Sequence, residues 1–345
     1  MANLVICADG TWNQPEEDLN EDHPTNVLKL ARAISPLAGE TRQQVSYGWG
    51  LGSRHNKLSG ALTGAGIEKS IIDGYRYLVH NYTSGDDIYL FGFSRGAYSV
   101  RALSGLINNC GILKREEAGR IPQAWDMYRD GADEYWPGGE AARAFRTAHA
   151  HPSRRVHFIG VWDTVGALGI PLSLLGGLFN HDNEFYDTKM GSNIAIARHA
   201  LAIDEQRKDF EPTLWETREE VDLKQVWFAG SHSDVGGGKA PDGAGRQASD
   251  TPLQWMANEA RAAGLTLEPH LDAHLSDGAQ GALHPSRRGL YRLRGKLDRP
   301  LVNENKPTVI HASVKARYER NDDYRPPRLE ALVEERGWEN ITLER

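Results

Sequence analysis

Gly85-Asp-Asp-Ile-Tyr-Leu-Phe-Gly-Phe-Ser-Arg-Gly-Ala97 is the stretch on which the fold turns. Gly85, Asp86 and Asp87 make a turn. Residues 88–93 are a short apolar and aromatic run, the pattern of a buried strand, and Ser94 stands at its end. From 97 to 108 the apolar positions take helical spacing, and Asn108, Asn109 and Gly111 close the helix. The junction Gly92-Phe-Ser-Arg-Gly96 matches G-x-S-x-G. That pattern alone is common; a strand before it and a helix after it are the context that a nucleophile elbow requires. In such an elbow the serine occupies a sharp, strained turn, and small residues on either side avoid the flanking strand and helix. The helix N-terminus then favours negative charge developing beside the hydroxyl. The plainer alternative is a strand–turn–helix whose glycines serve packing alone.

Working outward, residues 3–8 form a continuous apolar run that stops at Asp9-Gly10-Thr11, as a buried parallel strand does. Residues 26–34 have helical spacing, 44–48 read as a strand entering the glycine loop 48–52, and 66–82 is an amphipathic helix. Residues 112–150 read as mostly helical, with a break at Trp136-Pro-Gly-Gly139. Residues 156–162 are another buried strand, ending at Asp163. A glycine-rich apolar loop follows over 166–190, then a helix over 193–203. The strand 226–229 leads into Gly230-Ser-His-Ser-Asp-Val-Gly-Gly-Gly238, and 251–263 is helical. Strands alternating with helices predict an α/β fold with a mostly parallel sheet flanked by helices. With no repeat and no low-complexity linker, one elaborated domain is expected. Its core spans about 3–265, with a cap insertion over 112–150 and an irregular, Pro/Arg-rich region over 266–345.

Composition narrows the function classes. A content of 39% hydrophobic and 25% charged residues is globular rather than disordered. A net charge of −7 with no basic stripe speaks against a nucleic-acid binder. The most apolar run, 166–179, is too short and too broken by Pro171 and glycines to span a bilayer. No Lys or Arg precedes the first apolar run, so it is not a Sec signal. Two cysteines, Cys7 and Cys110, build neither a disulfide scaffold nor a cysteine-rich zinc site. Metal-protease and phosphate-loop patterns are missing as well: in Gly64-Ala-Gly-Ile-Glu-Lys-Ser70, Glu68 stands where a glycine must precede the lysine.

A nucleophilic serine needs a base and an acid that orients it. Asp163 closes one strand and His232 follows another, so Ser94, Asp163 and His232 occur in the chain order of an α/β-hydrolase. All three fall at C-terminal strand ends, where such sheets build sites. Asp163 could instead make an Asx turn, and His232 could simply order its loop. His199 and Asp204 are alternatives or supporting groups, His311 is another candidate base, and Asp234 could orient His232 or fix the glycine loop. For the oxyanion, the backbone N–H of Arg95 and those of Gly10 and Thr11 are expected donors, with Asp9 anchoring that loop. Leu168, Ile170, Leu172, Leu174, Leu175, Leu178 and Phe179 either pack on the core or form a lid or acyl-binding wall above Ser94. Trp125, Tyr128, Tyr135 and Trp136 could form the wall opposite. The run Arg287-Arg288, Arg292, Arg294 and Lys296 reads as a solvated face or a contact for anionic lipid.

Five stretches together carry a family resemblance. They are Asp9-Gly-Thr-Trp-Asn13, Gly85 to Ala97 as quoted above, Gly160-Val-Trp-Asp-Thr-Val165, His199-Ala-Leu-Ala-Ile-Asp-Glu205 and Gly230 to Gly238. In this order they resemble the uncharacterised α/β-hydrolase domain family related to type VI secretion phospholipase effectors, over roughly residues 3–265. The resemblance implies an α/β-hydrolase core, Ser94 as nucleophile, and hydrolysis of lipid or other carboxylic esters without a cofactor or metal. It also implies non-Sec export as an effector and contact with a membrane surface, while the two cysteines make manufacture in a reducing cytoplasm the default. A carboxylesterase for small soluble esters, and a non-catalytic interaction module on the same fold, are the alternative readings.

Overall fold

The apolar runs become strands because both of their faces are covered. The computed structural model describes residues 1–10, 13, 15–18, 21–50, 64–165, 190–289, 295–302 and 308–345. β1 (Ala2–Ala8) sends Leu4, Ile6 and Ala8 into one layer and Val5 and Cys7 into the other. A strand buried on two faces has no polar side, so its sequence is continuously apolar. α1 (Asn26–Ala33) follows, with the Thr25 hydroxyl accepting from the Leu28 amide at its start. Then come β2 (Leu37–Ala38), β3 (Thr41–Gly48), α2 (Gly64–Asn81), β4 (Asp87–Phe93) and α3 (Arg95–Cys110). α4 (Ile121–Asp130), α5 (Glu140–His149), β5 (Val156–Trp162), β6 (Ile194–Ala202) and β7 (Asp222–Phe228) continue the chain. The remainder holds α6 (His232–Gly236), α7 (Asp250–Ala262), α8 (His270–His274), β8 (Val309–His311), α9 (Ala312–Arg320), α10 (Pro327–Arg336) and β9 (Thr342–Glu344).

Among the described residues the strands form one nine-stranded sheet in the order β2-β3-β1-β4-β5-β6-β7-β8-β9. Every pairing is parallel except β2 with β3. The expected mostly parallel α/β sheet flanked by helices is what the chain forms. α2 and α3 cover one face, where Ile71, Leu78, Leu103 and Ile107 meet Leu4, Ile88 and Leu90. α1 and α7 cover the other, where Leu30, Leu253 and Met256 meet Val5, Phe91 and Phe158. A third cluster under the last strands joins Trp227 and Ile310 to Val314, Leu329 and Leu332 of α9 and α10.

Three expectations need correction. Residues 193–203 are not a helix; 194–202 is β6, paired along its length between β5 and β7. Alanine is the best helix former, so Ala195, Ala197, Ala200 and Ala202 bias a local reading. In place, Ala200 and Ala202 pack in the cluster that holds Phe158, Trp162 and Phe228, where small side chains leave room for large ones. Second, residues 266–345 are not merely irregular: β8 and β9 extend the sheet, but at three residues each they are too short to show a period. Third, the segment 112–150 packs on the C-terminal half of α3, away from Ser94. Tyr128 abuts Gly105, Cys110 donates to the Ala124 carbonyl and Asn109 donates to the Tyr135 carbonyl. Trp125 joins the cluster under α2 and α3 instead of walling a site above Ser94. The loop 167–179, expected to pack on the core or to form a lid, lies outside the described residues.

Candidate active site

The C-terminal ends of β1, β4, β5, β6 and β7 bring Asp9, Ser94, Asp163, Asp204 and His232 to one edge of the sheet. At Ser94 the backbone has φ 56° and ψ −121°. Among the described residues only Ser94 and Asp163, with φ 41°, are non-glycine residues at positive φ. Such backbone costs on the order of 1–3 kcal/mol per residue and persists only where its surroundings enforce it. Here they do. A Cβ on Gly92 would stand 2.5 Å from the Gly96 carbonyl oxygen, and a Cβ on Gly96 would stand 2.0 Å from the Ala8 carbonyl oxygen. Strand β4, helix α3 and the end of β1 therefore close to this distance only with glycine on both sides of the serine. Ser94 is half-buried, and its side chain makes no capping bond to α3.

His232 opens α6, behind a capping box in which Ser231 and Asp234 bond each other's backbone. Its Nδ1 lies 2.6 Å from Asp163 Oδ2, and both side chains are buried. The imidazole packs against Phe93 and, edge-on, against Phe210, whose ring centroids lie 4.6 Å and 5.0 Å away. A bond from the Ser94 hydroxyl to His232 is not formed among the described residues. Asp163 also accepts from the Ala202 amide at 3.0 Å and from both terminal nitrogens of Arg299, at 2.6 Å and 3.1 Å. Burial alone would raise the Asp163 carboxyl, but Arg299 and His232 outweigh it and hold the group well below the usual carboxylate range.

Asp9 does anchor its loop in this geometry. It accepts from Thr25, from Tyr47 at 2.8 Å, from Asn13 at 3.3 Å and from the Gly10 amide at 2.7 Å. Burial nonetheless pushes its carboxyl up from the ordinary value. A Cβ on Gly10 would lie 3.1 Å from the Ser94 Cβ, so this loop does border the serine. The Gly10 amide, however, is aimed at the Asp9 carboxylate and not at Ser94, which corrects its expected part as an oxyanion donor. Thr11 lies outside the described residues. Arg95 is the first residue of α3, so its amide stands at the positive end of the helix beside Ser94.

The remaining candidates occupy other places. His199 Nε2 accepts from the Thr164 amide at 3.2 Å, and its ring lies edge-on to Trp215. Burial lowers it to about 3, and its ring braces the turn after Asp163. His311 caps α9, with Nδ1 2.8 Å from the Ser313 hydroxyl, and stacks on Phe228; burial lowers it to about 4. Asp204 accepts from the Gly230 amide at 2.6 Å and the Tyr324 hydroxyl at 3.0 Å, and burial raises it to about 6. Asp234 pairs with His284 at 2.6 Å and not with His232.

Sequence reasoning missed Arg299, His284, Phe210 and the part of Glu205. Glu205 is buried, accepts from the His232 amide at 3.2 Å and pairs with Arg207 at 2.8 Å. Burial pushes Glu205 up, but Arg207 outweighs that and keeps its carboxyl below the ordinary value. Arg299 carries no local signal, since it follows a basic run and precedes a proline in a region without period. Of that run, Arg292 and Arg294 lie outside the described residues, Arg288 is exposed and Lys296 pairs with Asp298.

Comparison with known proteins gives one family match and several distant relatives. The family described as "T6SS, Phospholipase effector Tle1-like, catalytic domain" matches residues 2–259. A Saccharomyces cerevisiae protein described as "Uncharacterized protein YEL023C" is 26% identical over 232 residues, which are 61% of this chain and 32% of that protein. A solved structure of an uncharacterised Pseudomonas aeruginosa protein aligns over 83% of this chain and 51% of its own, at 17% identity and a TM-score of 0.48. The structure of the Tle1 effector bound to the VgrG spike from the type VI secretion system aligns over 70% of this chain and 52% of its own, at 18% identity and a TM-score of 0.38. The chain thus spans about a third of the curated relative and about half of each solved chain.

Proposed function

The chain belongs to the Tle1-like catalytic-domain family of type VI secretion phospholipase effectors, and from that premise we propose that it is a serine ester hydrolase of the α/β-hydrolase type acting on lipid. The observation that carries the reading is a strained serine at a strand–helix junction that shares the sheet edge with a buried His–Asp pair. Ser94 has φ 56°, and His232 Nδ1 stands 2.6 Å from Asp163. Asp163 fixes the tautomer that leaves His232 Nε2 as proton acceptor. His232 takes the Ser94 proton as the oxygen attacks the ester carbonyl, and it returns that proton to the departing alcohol. Water then enters and loses a proton to His232 as it attacks the acyl carbonyl; the acyl–serine bond breaks, His232 returns that proton to the Ser94 oxygen, and the acid leaves. The amide of Arg95, at the N-terminus of α3, faces the developing oxyanion. Thr11 is the proposed second donor, given that the Gly10 amide is taken by Asp9.

The substrate class follows from the family description, and export as an effector is proposed on the same ground. No helix among the described residues is long and apolar enough to cross a membrane, so contact with lipid is proposed at a surface. A series of esters of rising acyl length, given as monomers and as vesicles, tests the substrate. Long chains in aggregates should be cleaved fastest, and all cleavage should vanish in Ser94→Ala. A preference for short soluble esters contradicts the lipase reading and favours a carboxylesterase.

A further inference from the structure

Arg299 lies beyond residue 259, where the family match ends, yet its side chain reaches the centre of the site. It is 1% exposed. One terminal nitrogen donates to Asp163 Oδ1 and to the Ala202 carbonyl, and the other donates to Asp163 Oδ2 and to the Phe210 carbonyl. Its Nε finds no partner among the described residues. A buried guanidinium is costly, and an apolar side chain of similar volume often serves stability as well or better. The fold accepts that cost at one carboxylate: the one that orients His232.

We propose that Arg299 is a positioning residue of the active site, its planar fork clamping both oxygens of Asp163 so that Oδ2 stays aimed at His232 Nδ1. The C-terminal segment 295–302 is on this view part of the catalytic apparatus and not an appendage to a finished domain. The same guanidinium ties the Phe210 carbonyl, and Phe210 lies edge-on to the His232 ring. Arg299 thereby fixes both the acid that holds the imidazole and one wall of its slot. The inference rests on the reading of Ser94, His232 and Asp163 given above.

The groups facing Asp163 define what a pH profile reports. His232 comes from α6, Arg299 from segment 295–302 and the Ala202 amide from β6. His199 of β6 braces the next residue, with Arg101 of α3 near it, and Glu205, paired with Arg207, accepts from the His232 amide. The acid limb of activity belongs to the Asp163–His232 pair as a unit. Arg299 favours the deprotonated pair, so removing its charge lets the pair take up a proton at higher pH.

The test uses Arg299→Gln, which removes the charge, and Arg299→Lys, which keeps the charge but loses the fork. Folding is checked by thermal melting. Ester hydrolysis and Ser94 labelling by a fluorophosphonate are then measured from pH 4 to pH 9. In Arg299→Gln, kcat should fall roughly 10²-fold at little change in KM, and the acid limb should move up by about one pH unit. In Arg299→Lys the limb should stay in place while kcat falls less. A purely structural role would lower the melting temperature and leave the limb and kcat of the folded enzyme unchanged, which overturns the proposal. If Arg299→Gln does not fold, Arg299→Lys decides: wild-type kcat in that variant shows the fork to be dispensable. Wild-type protein that forms no Ser94 adduct at any pH removes the serine-hydrolase reading and this inference together. A wild-type adduct with unaltered variants removes this inference alone.

Discussion

At Ser94 and Asp163 the backbone takes conformations that side chains rarely adopt. Glycine would sit there without strain. Replacing Ser94 by glycine should therefore stabilise the fold by about 1 kcal/mol, the relief of strain less the entropy glycine adds to the unfolded chain. The same variant should lose all esterase activity. Chemical denaturation of Ser94→Gly beside wild type checks this; a loss of stability would mean that φ 56° is comfortable at this turn. At this scale Ser94, Asp163 and His232 stand out as candidates in the sequence because each ends a run that is visibly a strand or sits in a glycine-dense loop. Arg299 was invisible because nothing local distinguishes an arginine that will be buried from one that stays in water. Its identity depends on a contact with Asp163 across 136 residues of chain. The bond between the Gly10 amide and Asp9 was equally hidden, since a carboxylate can turn back onto the next amide in many loops.

The elements that frame the serine are legible for a different reason. β1, β4, β5 and the helices α1, α2, α3 and α7 each carry a full-length apolar pattern, and their limits fall close to the expected ones. β6 failed because its alanines favour a helix locally while the packing between β5 and β7 demands a strand. β8 and β9 failed because three residues carry no period. At Gly96 α3 approaches β1 so closely that a Cβ would stand 2.0 Å from the Ala8 carbonyl oxygen. Backbone on both sides leaves no rotamer to relieve that contact. Gly96→Ala should cost about 3 kcal/mol, at the upper end for an overpacked core, and should move α3 off the sheet edge. A melting temperature equal to wild type would show that the junction is looser than it stands here.

Over the whole molecule, one sheet joins the family-matched region to the C-terminal strands, and buried charge is settled at the seam between them. Tyr324 bonds Asp204 there, as Arg299 bonds Asp163. Asp204 gives this seam a pH signature. Burial raises its folded-state carboxyl from 3.8 to about 6, so the folded chain holds a proton that the unfolded chain has already lost. That contribution to stability is present below pH 4 and is lost as pH rises through 6. Asp163 works in the opposite sense, its depressed carboxyl adding stability above the unfolded value. Asp204→Asn isolates the first effect while keeping an oxygen for Gly230 and Tyr324. Relative to wild type, the variant should gain up to about 3 kcal/mol between pH 4 and pH 7. A difference that does not change with pH would show that Asp204 titrates normally.

On the reading proposed above, Ser94 is a nucleophile activated by His232. Incubation with a fluorophosphonate followed by intact mass and peptide mapping tests it most directly. One adduct, on Ser94, is expected in wild type, and none in Ser94→Ala or in folded His232→Ala. An adduct on another residue, or labelling of Ser94 that is as fast in His232→Ala as in wild type, would contradict it.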